Sequence, residues 1–273
     1  MTDAKRTSGV KSIDSLGRGL DVLSAIVRSE AASLAELHRQ TAIPKASLLR
    51  ILKTLQERGW VERNELEGRY VPTSSPGESG AAVEWRARLS SLAAPPRAWL
   101  QRRVPWPTDL AVRDGLAMLI QDTHRPVQGL TGNYRVLGFR SNMVVSALGR
   151  CYLAFCPEQE RAQILKALAR STSELNQAAR QPQAIRRLVA NARQQGYASR
   201  DPSGTSPESP QRFGAVAVPI RHGERVVACL SIAWLPAVVT QEHVVNSYMA
   251  DLQAAARAVE VKLRAAGFDA TPP

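Results

Sequence analysis

The chain has 273 residues, 44% of them hydrophobic and 22% charged, with a formal net charge of +12. At roughly 100–200 residues per domain this length fits two domains, and the balance excludes a wholly disordered chain or one that needs disulfide or metal staples. No apolar run reaches the roughly 18 residues of a membrane span, the start Met1-Thr2-Asp3-Ala4-Lys5-Arg6 lacks a secretory apolar segment, and three cysteines without framework spacing fit a reducing cytosol, so a soluble cytoplasmic protein is expected.

A polar tail over residues 1–12 precedes the first periodic segment. From Ile13 to Val27, apolar residues at Ile13, Leu16, Leu20, Leu23 and Val27 recur at spacings of three and four, the signature of one helical face. Ser33-Leu34-Ala35-Glu36 is a capping box that opens a short second helix. Ile43-Pro44 follows within two turns, and Pro44 suits the first position of a third helix, where its missing N–H costs nothing. That helix runs to about Arg58 with Leu48, Ile51, Leu52 and Leu55 as its apolar stripe, and Gly59 closes it. Trp60 to Arg63 and Arg69 to Val71, on either side of the polar turn Asn64–Gly68, read as a hairpin. Helix, short helix, turn, helix and hairpin within about 60 residues make a winged helix-turn-helix.

Pro72 to Gly80 reads as a linker, and Val83 to Leu92 as a helix that Pro95-Pro96 stops. Asp109–Val112 and Ala117–Gln121 look like paired strands around Asp114-Gly115. Helical stretches follow at Leu148–Ala169, interrupted near Pro157, and at Pro182–Gln195, capped by Gly196. Phe213–Ile220 and Arg225–Trp234 form the clearest hairpin, turning at His222-Gly223, before a terminal helix over Thr240–Ala266. Strands joined by hairpins and separated by helices predict an α+β domain with a mostly antiparallel sheet. Asp201 to Pro210 is the low-complexity segment.

With the leucine stripe turned inward, the third helix presents Lys45, Ala46, Leu49, Arg50 and Lys53 outward, with Ser47 near its exposed start. A helix that enters the major groove uses N-terminal side chains of this kind on base edges and phosphates; Arg can pair with guanine bidentately, whereas Lys and Ser more often hold phosphates. Arg63 and Arg69 flank the hairpin turn, where a wing could meet backbone or minor groove. The alternative is an ordinary solvated basic face. Charge alone does not decide, because residues 1–75 carry 12 basic against 9 acidic side chains and the remainder 24 against 15.

Residues that could carry catalysis are scattered. His38, His124, His222 and His243 form no constellation, and Cys151 and Cys156 lack the second pair of a zinc site and suit a helix–sheet core instead. No phosphate-binding glycine loop or dinucleotide fingerprint appears. No catalytic residue, metal or cofactor is therefore assigned. Trp85, Trp99 and Trp106 suit core or interface positions rather than base stacking.

Ser15-Leu16-Gly17-Arg18-Gly19-Leu20-Asp21-Val22-Leu23, Pro44 to Leu55, and Gly59-Trp60-Val61 with the wing ending at Tyr70 resemble the DNA-binding domain of IclR-type transcriptional regulators. Leu49 departs from that pattern, which is more often polar there. Ser146 to Phe155, Gly196-Tyr197-Ala198, Ala215–Ile220 and Val226–Ala233 are similar to the family's effector domain, so the resemblance covers most of the chain. It implies a GAF-like domain that binds a small organic acid or aromatic, with pocket positions at Gly149, Arg150, Asp201, Ala215, Ser231 and Ala233. Amides at a helix start near Gly149 could receive a carboxylate, and Arg150 could pair with it. Alanines at 215 and 233, where some members carry polar groups, imply a larger or more apolar ligand than a two- or three-carbon acid. Val104-Pro105-Trp106-Pro107-Thr108-Asp109 and Phe155 to Arg161 most resemble the branch that activates hydroxyphenylpropionate and related aromatic catabolism.

The expected organisation is thus a tail at 1–12, a winged helix-turn-helix at 13–75, a linker helix at 76–92, an effector domain at 93–267 and a tail at 268–273. The expected partners are double-stranded operator DNA, a small organic acid of aromatic type and a second copy in a homodimer or homotetramer, with no membrane. That assembly would use apolar surface from the first helix and from Val83, Trp85 and Leu89. An enzyme built on the effector domain with a DNA-targeting module, or a constitutive DNA binder, is the alternative.

Overall fold

The computed structural model describes residues 13–29, 31–64, 68–72, 80–125, 136–202 and 213–271. The N-terminal tail, the tip of the first hairpin, linker residues 73–79 and most of the 201–210 segment lie outside the described residues. Two units meet in sequence between Val83 and Glu84.

In the first unit, α1 (Asp14–Ser29), α2 (Leu34–Thr41) and α3 (Lys45–Glu57) precede the strands β1 (Val61–Asn64) and β2 (Arg69–Pro72). Helix α1 is anchored by Val22, Ala25 and Ile26, which are fully buried. Most of the stripe that signals the helix in the sequence lies on the far side, at about 100° per residue, whereas Leu23 packs against this core. Ile13, Leu16, Leu20 and Val27 are 52–66% exposed. Ser33 caps α2 reciprocally: its Oγ accepts from the Glu36 N–H at 3.3 Å while Glu36 Oε2 accepts from the Ser33 N–H at 2.8 Å. Ala42 ends α2 in the left-handed region at φ 56°, and its N–H returns to His38 O at 3.0 Å. That single residue turns the chain into α3. Leu48 and Leu52 are fully buried against Leu37, Val61 and Tyr70, at about 1.5–3 kcal/mol for each leucine. Strands β1 and β2 pair antiparallel, and Ala32 adds a bridge to Tyr70.

The second unit follows α4 (Gly80–Gln101) with β3 (Thr108–Asp114), β4 (Ala117–His124), β5 (Arg140–Asn142), α5 (Ala147–Phe155), α6 (Glu158–Leu168), a 3-10 turn at Glu174–Arg180, α7 (Pro182–Gln195), β6 (Ala198–Ser199), β7 (Gly214–His222), β8 (Arg225–Trp234) and α8 (Gln241–Ala265). The six strands run in the order β5-β4-β3-β8-β7-β6, and every pairing is antiparallel. Side chains alternate across this sheet with period two. Leu110, Val112, Val218, Leu230 and Ile232 pack with residues of α4 and α8. Ala111, Met118, Ile120, Ala217 and Cys229 pack on the other face with residues of α5, α6 and α7. The architecture is α+β, as its pattern of strands and helices predicts.

Two local expectations are corrected. Pro95 and Pro96 do not stop α4, which continues through both to Gln101. Each proline removes a helix hydrogen bond, but Leu89, Ala93, Pro96, Arg97 and Leu100 bury a continuous face, so tertiary packing overrides the local break. For the same reason Leu89 is no interface residue: it is fully buried in its own unit's core. Past α8, Phe268 is buried at 5.2 Å from the Trp85 ring, and Trp85 Nε1 donates to Asp269 O at 2.6 Å.

Candidate functional site

Besides the exposed apolar side of α1, the first unit presents an outward face on α3. On α3, Lys45, Ala46, Leu49, Arg50 and Lys53 are exposed and Ser47 is half-buried, because Leu48 and Leu52 point the opposite way. Leu49 is 49% exposed, an apolar side chain at the centre of this face. Lys53 pairs only loosely with Glu57, at 3.8 Å on an open surface.

The two wing arginines differ. Arg63 is exposed and its guanidinium lies 5.9 Å from the Tyr70 ring centroid. Arg69 instead turns onto the start of α2, where Nη2 donates to Glu36 Oε2 at 2.8 Å and to Ala31 O at 2.9 Å. It therefore ties the wing to the capping box. The Ser33 N–H and hydroxyl, and then Arg69, hold the Glu36 carboxyl below its ordinary value.

In the second unit the sequence-predicted residues come from three elements, α5, β7 and β8, and from Asp201 just after β6. Ser146 caps α5, accepting from the Gly149 N–H at 3.0 Å and donating to Asn142 O at 2.6 Å. The Gly149 amide is thus already taken, and the helix start has only the Ala147 and Leu148 amides without a hydrogen bond among the described residues. Gly149 is there for space: a Cβ would stand 2.3 Å from Met143 Cα and 2.5 Å from Asn142 O. Arg150 Nη1 donates to Asp201 Oδ2 at 2.9 Å and to Val144 O at 3.4 Å, and the Asp201 N–H reaches Val145 O at 2.9 Å. The structure therefore joins Arg150 and Asp201 in one ion pair beside the start of α5.

Ala215 of β7 is the register partner of Ala233 of β8, and Ala217 is the partner of Ser231, so these four share a face of the sheet. Ser231 is buried, and Ala215 and Ala233 are partly so. The same face carries a residue that the sequence reading left out of the site. Asp109 of β3 is the partner of Ser231 and is only 5% exposed. Its carboxylate accepts from Thr123 Oγ1 at 2.6 Å and Arg125 Nη2 at 3.0 Å. Burial lifts this carboxyl above its ordinary value, with Arg125 and then Thr123 pulling it back. The available signal was an acid inside the apolar run Thr108-Asp109-Leu110-Ala111-Val112. Among the described residues, no group of three His, Cys, Asp or Glu side chains could hold a metal ion. Cys151, Cys156 and Cys229 are all buried free thiols in the α5-side core.

An exposed helix with a wing, joined in one chain to a sheet domain with a buried polar cluster, narrows the comparison to known proteins. The IclR helix-turn-helix domain matches residues 15–65, and the bacterial transcriptional regulator IclR C-terminal domain matches residues 83–261. The chain belongs to the IclR family. It is a DNA-binding, ligand-responsive transcriptional regulator rather than a catalyst. The HTH-type transcriptional regulator XynR of Escherichia coli is 28% identical over 263 residues, covering 94% of this chain and 99% of XynR. KipR of Bacillus subtilis is 25% identical, covering 82% of this chain and 87% of its own. The IclR protein of Thermotoga maritima superposes with a TM-score of 0.64 at 23% identity, over 92% of this chain and 99% of its own. An IclR homologue of Microbacterium hydrocarbonoxydans, solved in complex with 4-hydroxybenzoate, superposes with a TM-score of 0.61 at 26% identity over the same shares. No helix among the described residues is long and apolar enough to cross a membrane.

Proposed function

We propose that this IclR-family regulator controls a catabolic operon and senses an aromatic carboxylic acid, in the branch that activates hydroxyphenylpropionate and related aromatic catabolism. The observation that carries the reading is the alanine pair Ala215–Ala233, set beside buried Ser231 on the sheet face that also packs α5. Small residues there leave room for a ring. The 4-hydroxybenzoate complex of the Microbacterium relative supports the ligand class. In this reading the carboxylate lies at the start of α5, against the Ala147 and Leu148 amides near Gly149, and Arg150 exchanges part of its Asp201 contact for it.

The operator is read by α3. Arg50 and Leu49 meet base edges, Lys45, Ser47 and Lys53 meet phosphates, Ala46 allows close approach, and Arg63 follows the backbone from the wing. Arg69 acts through Glu36 to hold the wing rather than by contact. One recognition helix covers half a site, so a second copy is required on a pseudo-palindrome. The exposed Ile13, Leu16, Leu20 and Val27 face of α1 is the surface that meets it. Effector binding that favours one dimer geometry must then change operator affinity by linkage.

A thermal-shift screen of aromatic and short aliphatic acids, followed by operator binding with each hit, tests the reading. Stabilisation by aromatic acids with a matching change in operator affinity is expected. Preference for acids of glyoxylate or pyruvate size contradicts it.

A further inference from the structure

The α5-side face of the sheet is apolar over most of its extent and carries a polar row at the start of β3. There Thr123, Asp109 and Ser231 stand in register on β4, β3 and β8, and Ser231 continues to Ala217 on β7. Antiparallel partners project from the same side of a sheet, so these side chains form one row. Asp109 is 5% exposed, yet both of its hydrogen bonds, from Thr123 and from Arg125, end on Oδ1. Oδ2 accepts no hydrogen bond among the described residues. Among the described residues, Arg125 Nε is buried and without a partner. It is thus a buried donor left unsatisfied, which native proteins rarely tolerate, and Asp109 Oδ2 in the same cluster is an acceptor open to a further donor.

The chemistry of those two atoms selects what can fill the place. A carboxylate only accepts, and it would face the Asp109 charge. An ammonium only donates, and it would face Arg125. A hydroxyl both donates and accepts, and it suits Asp109 whether that group is ionised or neutral. The row also sets a distance. Adjacent strands lie about 4.8 Å apart, so β3 and β7 are separated by roughly 10 Å across the alanine floor, the span of a ring substituted at both ends.

We propose that Asp109, with Arg125 beside it, determines effector specificity by hydrogen bonding a hydroxyl on the ring, at the end remote from the effector's carboxylate. The inference rests on the aromatic-acid reading above and adds the ring substituent to it. A pocket built to bond a hydroxyl rejects the analogue that lacks it, because its own polar groups are then left unpaired.

Calorimetry on the full chain with two matched pairs tests this: benzoate against 4-hydroxybenzoate, and phenylpropionate against hydroxyphenylpropionate. In the unmodified protein the hydroxylated member of at least one pair binds about tenfold or more tightly. Asp109→Asn abolishes that preference while binding of the unsubstituted acids changes little. Equal affinity within both pairs for the unmodified protein, which needs no variant to fold, overturns the inference and leaves the aromatic-acid reading standing. A folded Asp109→Asn protein that keeps the preference also overturns it. Failure of all four acids to bind removes the aromatic-acid reading and this inference with it.

Discussion

In the first unit the groups proposed to meet DNA stand on the outside of one 13-residue helix and its wing, while in the second the candidate effector groups are gathered from a helix, two strands and a turn and are buried or half-buried. The difference follows from the ligands. A duplex is larger than the domain that reads it, so recognition needs a rigid projecting face whose side chains remain in water until contact. A small acid must be enclosed, so its site is built from small residues, capped helix ends and charges already paired within the protein. Substitutions in the two units should therefore fail differently: by lost contact in the first, and by lost shape in the second.

The largest effect is expected at Gly149. Gly149→Val places atoms inside the Asn142–Met143 turn and should destabilise the chain by about 3 kcal/mol or more. Urea denaturation checks this, and a protein of unchanged stability breaks the claim that shape governs the second unit. Next comes assembly. Leu20→Glu, on the exposed face of α1, should shift the protein toward monomer and weaken operator binding about a hundredfold, because linked half-sites lose their effective concentration. Light scattering with anisotropy titrations reads both changes. Leu89→Glu should instead unfold the second unit's core, which separates interface from interior.

Arg50→Ala sharpens the contact side of the comparison. It should cost about 1–3 kcal/mol of specific binding with little change in stability, measured against non-specific DNA at one salt concentration. A smaller effect is expected at acid pH. The Glu36 carboxyl is held below its ordinary value, so its contribution is present above its unfolded pKa of about 4.3 and is lost as pH falls through the folded value. Glu36→Gln should therefore flatten the stability profile of the first unit on the acid side of neutrality, and nowhere else. The smallest signal is chemical. Burial pushes the Cys156 thiol up to about 12 and raises Cys151 well above its ordinary value, so a thiol reagent at mild pH should label neither until the protein is denatured.

The same contrast explains what the sequence made legible. The capping box at Ser33, the leucine stripe of α3 and the Gly59 stop are local signals, each set within a few residues, and they carry the winged helix without knowledge of anything distant. The α1 stripe was equally visible, but periodicity shows that a face exists, not what covers it; Val22, Ala25 and Ile26 hold the helix in its unit instead. Pro95 and Pro96 misled because a local penalty was weighed without the buried face around it. Asp109 stayed hidden for a related reason. Its partners Thr123, Arg125 and Ser231 are 14 to 122 residues away in the chain, and only strand register brings them together. Gly149 and Arg150 were found through family resemblance, yet the ion pair of Arg150 with Asp201 depends on a contact 51 residues apart.

The central claim is that an aromatic acid in the second unit alters what the first unit holds. Anisotropy of a labelled fragment from the DNA upstream of the gene, titrated with the full chain at fixed salt with and without hydroxyphenylpropionate or 4-hydroxybenzoate, measures this directly. The account predicts a shift in operator affinity of about fivefold or more with at least one acid, the usual range of coupling between linked sites, and no shift with pyruvate. Tight operator binding that none of these acids changes would contradict it.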